Sequence, residues 1–281
     1  MEEKILYFDC LSGISGDMTI GALLDLGIDK EKFLEEIKKI NIDEFDLEIK
    51  KGEKNGITGT DFDVIIKGHY HAHSDEHNHD HSHEEHHHHE HNHNHSHSHD
   101  HSHSHHHEHR NLENIEKIID NSDLNEKVKK MSKKIFKYVA EAEAKIHGKN
   151  IDEVHFHEVG AVDSIVDIIG TAICIDLLDV DKIYSSPVHI GTGHVKCAHG
   201  IIPVPAPATL EILKGIEVYS TGIKSELVTP TGAAIIKALA SDIIDTPQMK
   251  IEKIGYGIGT KDLDITNVLR IMIGKKKQKI R

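Results

Sequence analysis

Between His69 and His109 the chain has the composition of a segment that does not fold. These 41 residues hold 22 of the 28 histidines, eight carboxylates, no Lys or Arg, and almost nothing apolar beyond Tyr70 and Ala72. So little apolar surface does not offset the entropy of ordering, which makes the tract a disordered insert between two globular stretches. The expected organisation is an N-terminal α/β lobe over 1–68, a His-rich metal-binding insert over 69–110, and a C-terminal α/β lobe over 111–281 packing with the first. Neutral imidazole suits nickel, zinc and copper. At three or four imidazoles per ion the tract would load roughly five to seven ions, with His86, His87, His88 and His89 among the ligands. Purification tags sit at termini, whereas this tract is internal and interleaved with Asn, Ser, Asp and Glu.

Outside the insert about 240 residues remain, enough for one large or two small units with a real core. The formal charge is −14, of which the insert supplies −8, leaving −6 for the rest. No basic face interleaved with aromatics is present, and the Lys-rich end from Lys275 to Arg281 is short, so nucleic acid is not an expected partner. Neither a run of eighteen apolar residues nor a cleavable leader is seen, so the expectation is a cytoplasmic protein without a membrane partner. Cys10, Cys174 and Cys197 form no CxxC pair, which argues against a disulfide framework or a zinc ribbon.

The pattern along the chain is α/β, a mixed sheet with helices. Ile5–Phe8 reads as a buried strand, followed by a Gly/Ser loop and an apolar helix from Asp17 to Leu26 that Gly27 closes. A helix over Lys30–Ile40 follows, capped by Asp29, and then strands Phe45–Lys51 and Gly59–Lys67 joined through Asn55-Gly56. After the insert come a short helix near Leu112 and a long one over Asp123–His147, capped by Ser122 and ended by Gly148. Helices over Asp163–Leu178, Ala206–Leu213 and Thr231–Ala240 alternate with strands that include Lys182–Ser185 and Val268–Ile273.

Four segments carry residues suited to chemistry. The loop Asp9-Cys10-Leu11-Ser12-Gly13-Ile14-Ser15-Gly16-Asp17 offers amides at a helix start for an anion, while Asp9 at the strand end suits a cation. Plain capping is the competing reading, since the loop is neither a P-loop nor a GxGxxG turn. In His155-Phe156-His157-Glu158, followed by Asp163, an extended backbone would put both histidines on one face, with Glu158 and Asp163 completing a divalent site. Asp163 and Asp167, four apart on one helix, either flank a cation or are a cap and a solvated charge. His194, Cys197 and His199 together would give mixed nitrogen and sulfur ligation, although Cys197 also suits a core. Thr229, Pro230, Thr231 and Gly232 form a helix start in which Gly232 would let a ligand approach closely. Gly255, Gly257 and Gly259 alternate like a nucleotide fingerprint, but a strand rather than a helix follows them.

Taken together, Asp9–Gly27, Val154–Gly170, Val195–Thr209, Glu226–Ala234, Ile254–Gly259 and Asn267–Leu269 resemble the LarC family of nickel-insertion proteins over nearly all of the chain outside the insert. The resemblance implies insertion of Ni2+ into pyridinium-3,5-bisthiocarboxylic acid mononucleotide, giving the nickel-pincer nucleotide of lactate racemase-type enzymes. It also implies cytidine triphosphate (CTP) with Mg2+ or Mn2+, and a further C-terminal domain to which nucleotide binding is attributed; the expectation is that a separate C-terminal nucleotide-binding chain supplies it or that this is one half of a split reading frame. A homo-oligomer is expected. Forming a pincer complex requires nickel, a hold on the nucleotide phosphate, and removal of a ring proton. Phosphate is then assigned to Ser12, Gly13, Ser15, Gly16 and Asp17 or to Thr229, Thr231 and Gly232. Nickel is assigned to His155, His157 and the set His194, Cys197 and His199, and the base is His157 or Glu158.

The competing function is non-catalytic nickel or zinc storage and delivery. A zinc hydrolase built on His155 and His157 has no HExxH and no clear third ligand. Deleting 69–109 is expected to leave cooperative unfolding intact and to remove most of the metal capacity measured by equilibrium dialysis. Loading of the intact tract should fall as pH drops through about 6.5, because protonated imidazole does not ligate. A stoichiometry that stays flat between pH 5 and 8 would refute histidine ligation.

Overall fold

A computed structural model describes residues 2–67, 110–154, 156, 159, 161–197 and 200–277. His86 to His89, His155, His157, Glu158 and His199 lie outside the described residues, as does the side chain of Cys197. The segments on both sides of the insert join in one seven-stranded mixed sheet with the order β2-β3-β10-β11-β1-β4-β9. Here β1 is Glu2–Asp9, β2 Phe45–Lys54, β3 Ile57–Ile66, β4 Lys182–Ser185, β9 Asp242–Ile243, β10 Lys250–Ile258 and β11 Val268–Lys277. Two short pairs stand apart from it: β5 (Val188–His189) with β8 (Val218–Tyr219), and β6 (His194–Cys197) with β7 (Gly200–Pro203). The helices are α1 (Gly16–Asp25), α2 (Lys30–Lys38), α3 (Leu112–Asn121), α4 (Glu126–His147), α5 (Val162–Leu178), α6 (Pro207–Ile212) and α7 (Pro230–Leu239). Among the described residues no helix is long and apolar enough to cross a membrane.

Strand alternation separates the two faces of the centre of the sheet. Leu6 and Phe8 of β1 join Leu269, Ile271 and Ile273 of β11 in the main core, together with the apolar sides of α1, α4, α5 and α7. Tyr7 and Asp9 alternate to the other face, where the Tyr7 hydroxyl donates to the carbonyls of Ile244 and Asp245 as the chain leaves β9. Burial pushes the Tyr7 phenol up to about 12, so it stays a donor.

The alternating glycines are explained by packing. Gly255 and Gly257 lie in β10 beneath α1, and a Cβ on Gly257 would sit 1.8 Å from the Met18 carbonyl oxygen. The sheet and helix therefore approach closer than any side chain allows. The β2–β3 turn has Asn55 at φ 49° and Gly56 at φ 80°, the mirror-image turn expected of Asn-Gly. One cap differs from expectation. Asn125, not Ser122, caps α4 by accepting from the Val128 amide at 3.0 Å, whereas the Ser122 hydroxyl turns back to the Ile119 carbonyl at the end of α3. The Asp123 amide is bonded to the Lys39 carbonyl at 2.9 Å, which keeps residues 122–124 out of the helix. Gly148, at φ 60°, ends it as expected.

Gly257→Ala is expected to cost about 2 kcal/mol or more, as overpacking does. A urea midpoint equal to wild type would show that α1 can move away from the sheet.

Candidate functional site at the end of the central strands

The loop after β1 is built from contacts with its own protein. The Gly13 amide donates to the Cys10 carbonyl at 3.1 Å and the Ile14 amide to the Leu227 carbonyl at 2.9 Å, while the Thr229 amide returns a bond to the Ile14 carbonyl. Gly13 has φ +85°, and a Cβ there would lie 1.9 Å from the Leu227 carbonyl oxygen. These amides are spent before any anion arrives, contrary to the phosphate role expected of Gly13. Ser12 donates its hydroxyl to the Thr266 carbonyl at 2.7 Å, and Ser15 donates to the Asp17 carboxylate.

The start of α7 is filled in the same way. Thr229 caps it by accepting from the Gly232 amide at 3.1 Å, and Thr231 is buried. A Cβ on Gly232 would stand 2.2 Å from the Ile14 carbonyl oxygen, so the close approach expected of a ligand is made by the chain itself.

Asp9 already has a cation. It is 6% exposed and accepts through Oδ2 from Arg270, with Nε at 2.8 Å and Nη2 closer still. The expected metal role of Asp9 is therefore taken by a guanidinium that sits directly across from it in the β1–β11 register. Beside this pair the Cys10 thiol is buried and pushed up to about 12 by desolvation, so it is neutral. His189 is also buried. Thr221 donates its amide to Nε2 at 3.3 Å, which leaves Nδ1 as the protonated nitrogen, 2.6 Å from the Leu11 carbonyl. The imidazole stacks on Tyr219 with ring centres 4.7 Å apart and planes 5° from parallel.

A second group of charges lies where α1 meets α5. Gly16 lets the Asp167 carboxyl close in, since a Cβ on Gly16 would be 2.3 Å from Asp167 Oδ2. Desolvation, then Asp17, Asp163 and Asp63, raise the Asp167 carboxyl well above the usual range. Desolvation also raises Asp17, partly offset by the Ser15 hydroxyl and the Met18 amide. Ala161, not Asp163, is the N-cap of α5; Asp163 accepts from the Ser164 amide at 2.7 Å. Asp167 is thus not the freely solvated charge of the competing reading. Among the described residues none of these four carboxylates pairs with a Lys or Arg, and no three His, Cys, Asp or Glu side chains form a group suited to a metal.

Of the set His194, Cys197 and His199, the structure relates only the backbone at 194 and 197. His194 pairs with Pro203 and Cys197 with Gly200, so residues 194 and 197 are three extended positions, about 10 Å, apart. Three other backbone segments do converge. The Lys67 amide donates to the Glu44 carbonyl at 2.8 Å, Arg110 Nη2 lies 3.5 Å from Glu44 Oε2, and the Phe156 amide donates to the Arg110 carbonyl at 3.0 Å. Arg110, on one side of the histidine tract, therefore meets Phe156, while Lys67, on the other, shares Glu44 with it; Val154, Phe156 and Val159 are buried.

Reading the residues alone missed Arg270, His189 and Tyr219. One signal was available for the first: the chain has only three arginines among its 33 basic residues. His189 and Tyr219 sit in two-residue strands with no motif around them.

The family described as nickel insertion protein matches residues 6–281. A relative from Acetivibrio thermocellus, named pyridinium-3,5-bisthiocarboxylic acid mononucleotide nickel insertion protein, is 50% identical over 98% of this chain and 61% of its own length. Relatives of the same name from Clostridium kluyveri and Clostridium acetobutylicum are 50% and 55% identical, over 98% and 97% of this chain and 63% and 64% of their own lengths. The chain thus spans about three-fifths of the length of the curated relatives it matches. No solved structure matches it.

Because a raised carboxyl pKa favours the protonated folded state, the stability Asp167 contributes is fullest at low pH and is lost as pH rises through that raised value. Asp167→Asn is expected to raise Tm by a few degrees at pH 8, with the gain shrinking towards pH 4. A difference in Tm that does not change with pH would show that the carboxyl is not strained by its neighbours.

Proposed function

The chain belongs to the nickel insertion protein family, and we propose that it takes part in inserting nickel into pyridinium-3,5-bisthiocarboxylic acid mononucleotide, the compound in its relatives' names. The observation that carries this reading is the junction at Glu44, where Lys67 and Arg110 bracket the tract and Phe156 joins them. A donor tethered to the same chain as its acceptor acts at raised effective concentration, so we propose that an ion held by His86 to His89 or their neighbours is passed within the chain to His155 and His157. Among the described residues Asp17, Asp63, Asp163 and Asp167 gather without a Lys or Arg partner, which favours a divalent cation near the start of α5, and Asp163 is the one proposed to share in holding it.

In this proposal His155 and His157 receive nickel, and Glu158 or His157 accepts the ring proton as the carbon–hydrogen bond gives way to a carbon–nickel bond. We assign Ser12 to Asp17 and Thr229 to Gly232 to the scaffold, because the Gly13, Ile14, Thr229 and Gly232 amides are bonded within the chain and Gly13, Gly16 and Gly232 pack against it. The extended backbone of β6 separates His194 from position 197, so we give the first nickel contact to His155 and His157 and not to His194 with Cys197 and His199. CTP with Mg2+ or Mn2+ does not fit the described residues: the Gly13 and Ile14 amides are bonded, and Gly255 and Gly257 pack on α1. We assign that group to the part of the relatives' length that this sequence does not span, whether it lies on the same polypeptide or on a separate C-terminal nucleotide-binding chain.

The test replaces His155, His157 and Glu158 singly with Ala. Nickel-pincer product is measured with excess nickel, CTP, a divalent ion and the nucleotide-binding chain, beside nickel uptake and a thermal melt. Product formation should fall about 100-fold or more, as loss of a general base or ligand does, with uptake nearly unchanged. Wild-type product from all three folded variants would remove them from the site. A wild-type protein that takes up nickel yet yields no product would favour storage.

A further inference from the structure

We propose that Arg270, oriented by Asp9, is the anchor for the phosphate group of the mononucleotide; this rests on the reading of the chain as acting on that substrate. The chain meets nearly every need for positive charge with lysine and uses arginine only at 110, 270 and 281. Arginine differs from lysine in presenting five donors in a planar fork that matches phosphate oxygens two at a time. At Arg270 that fork is held rigidly and only partly used. It faces Asp9 on one neighbouring strand and Tyr256 on the other, in one row across β1, β11 and β10.

Asp9 accepts from Nε and Nη2 through a single oxygen, so the guanidinium stands side-on to the carboxylate and not fork to fork. The Tyr256 phenol is its other polar neighbour. Two of the five donors go to Asp9, and among the described residues Arg270 makes no further side-chain hydrogen bond of ordinary geometry, so part of the fork remains for a ligand. The side chain is 39% exposed while its Asp9 partner is 7% exposed, so the charge is fixed from below and open from above. A salt bridge that served Asp9 alone would need neither the fork nor the opening.

The surroundings suit the rest of such a ligand. Leu11, two residues beyond Asp9, is 53% exposed, and its carbonyl is fixed by His189. The Tyr219 ring is stacked on His189, and its phenol, raised first by burial, is close enough to Asp9 to feel its charge. An apolar side chain and an aromatic ring beside an anion anchor fit a heteroaromatic mononucleotide better than a free inorganic ion.

The experiment titrates the full chain calorimetrically with the nickel-free mononucleotide, its dephosphorylated nucleoside, and CTP. Arg270→Lys keeps a cation for Asp9 and loses the fork; the pair Asp9→Asn with Arg270→Gln removes both charges without stranding either. Both proteins should melt cooperatively and bind the mononucleotide at least tenfold more weakly than wild type, with nucleoside affinity unchanged. Mononucleotide binding within twofold of wild type in both variants would overturn the proposal. So would an equal loss for the nucleoside, a loss confined to CTP, or no binding by wild type. Turnover separates the two readings. Binding that depends on Arg270 without any nickel product would sink the function and leave the anchor, whereas product formed by Arg270→Lys at an unchanged KM would sink the anchor and leave the function.

Discussion

The loop Cys10 to Gly16 holds the described structure in register, because four distant parts of the chain close on its backbone. Leu227 and Thr229 exchange hydrogen bonds with Ile14, His189 holds the Leu11 carbonyl, Ser12 reaches Thr266, and Asp167 packs on Gly16. Each bond contributes about 1 kcal/mol, but any one left unmade would bury an unsatisfied group. The close contacts require glycine at 13, 16 and 232, where a Cβ would overlap the neighbouring chain. Once this loop is set, the starts of α1 and α7 have a single possible relation, and the ends of β1 and β11 stay open beside it.

That geometry distributes charge unevenly. Asp9 is paired with a guanidinium whose geometry β11 dictates, while Asp17, Asp63, Asp163 and Asp167 gather without a counter-charge from Lys or Arg among the described residues. Carboxylates so arranged weaken the fold at neutral pH, and the same field raises the local concentration of divalent cations. Stability and cation attraction are therefore opposed at the start of α5.

Elements whose signals are local were legible in the sequence. Asp29 caps α2, Asn55-Gly56 makes its hairpin turn, Gly148 ends α4, and the apolar run of α5 is buried where expected. What stayed hidden depends on contacts between distant residues. Ser122 and Asn125 are equally able caps, and only the bond from Asp123 to Lys39 decides between them. Glycines at 13 and 232 look the same whether the neighbour is a phosphate or a carbonyl of the same chain. Asp9 reads as a cation ligand, and the identity of the cation is set by a residue 261 positions away. The mixed α/β class survives such errors because it follows from periodicity, while a site is a meeting of residues that periodicity does not relate.

The junction at Glu44 explains how a histidine-rich composition can be carried inside this fold at all. Lys67 and Arg110 both bond to Glu44, so whatever lies between them leaves and rejoins the fold at one point, already closed by described residues. The entropy of closing such a loop grows only with the logarithm of its length, about 0.6 kcal/mol for each doubling. A change in the number of residues there changes that closure entropy little, and the core positions among the described residues come from either side of the tract. The folded part is bound by the opposite rule: at Gly16 or Gly232 a single added carbon would displace a carboxyl or a carbonyl that holds the loop after β1 in place. Metal capacity is therefore free to vary with the length of the tract, while the geometry at the ends of β1 and β11 is not.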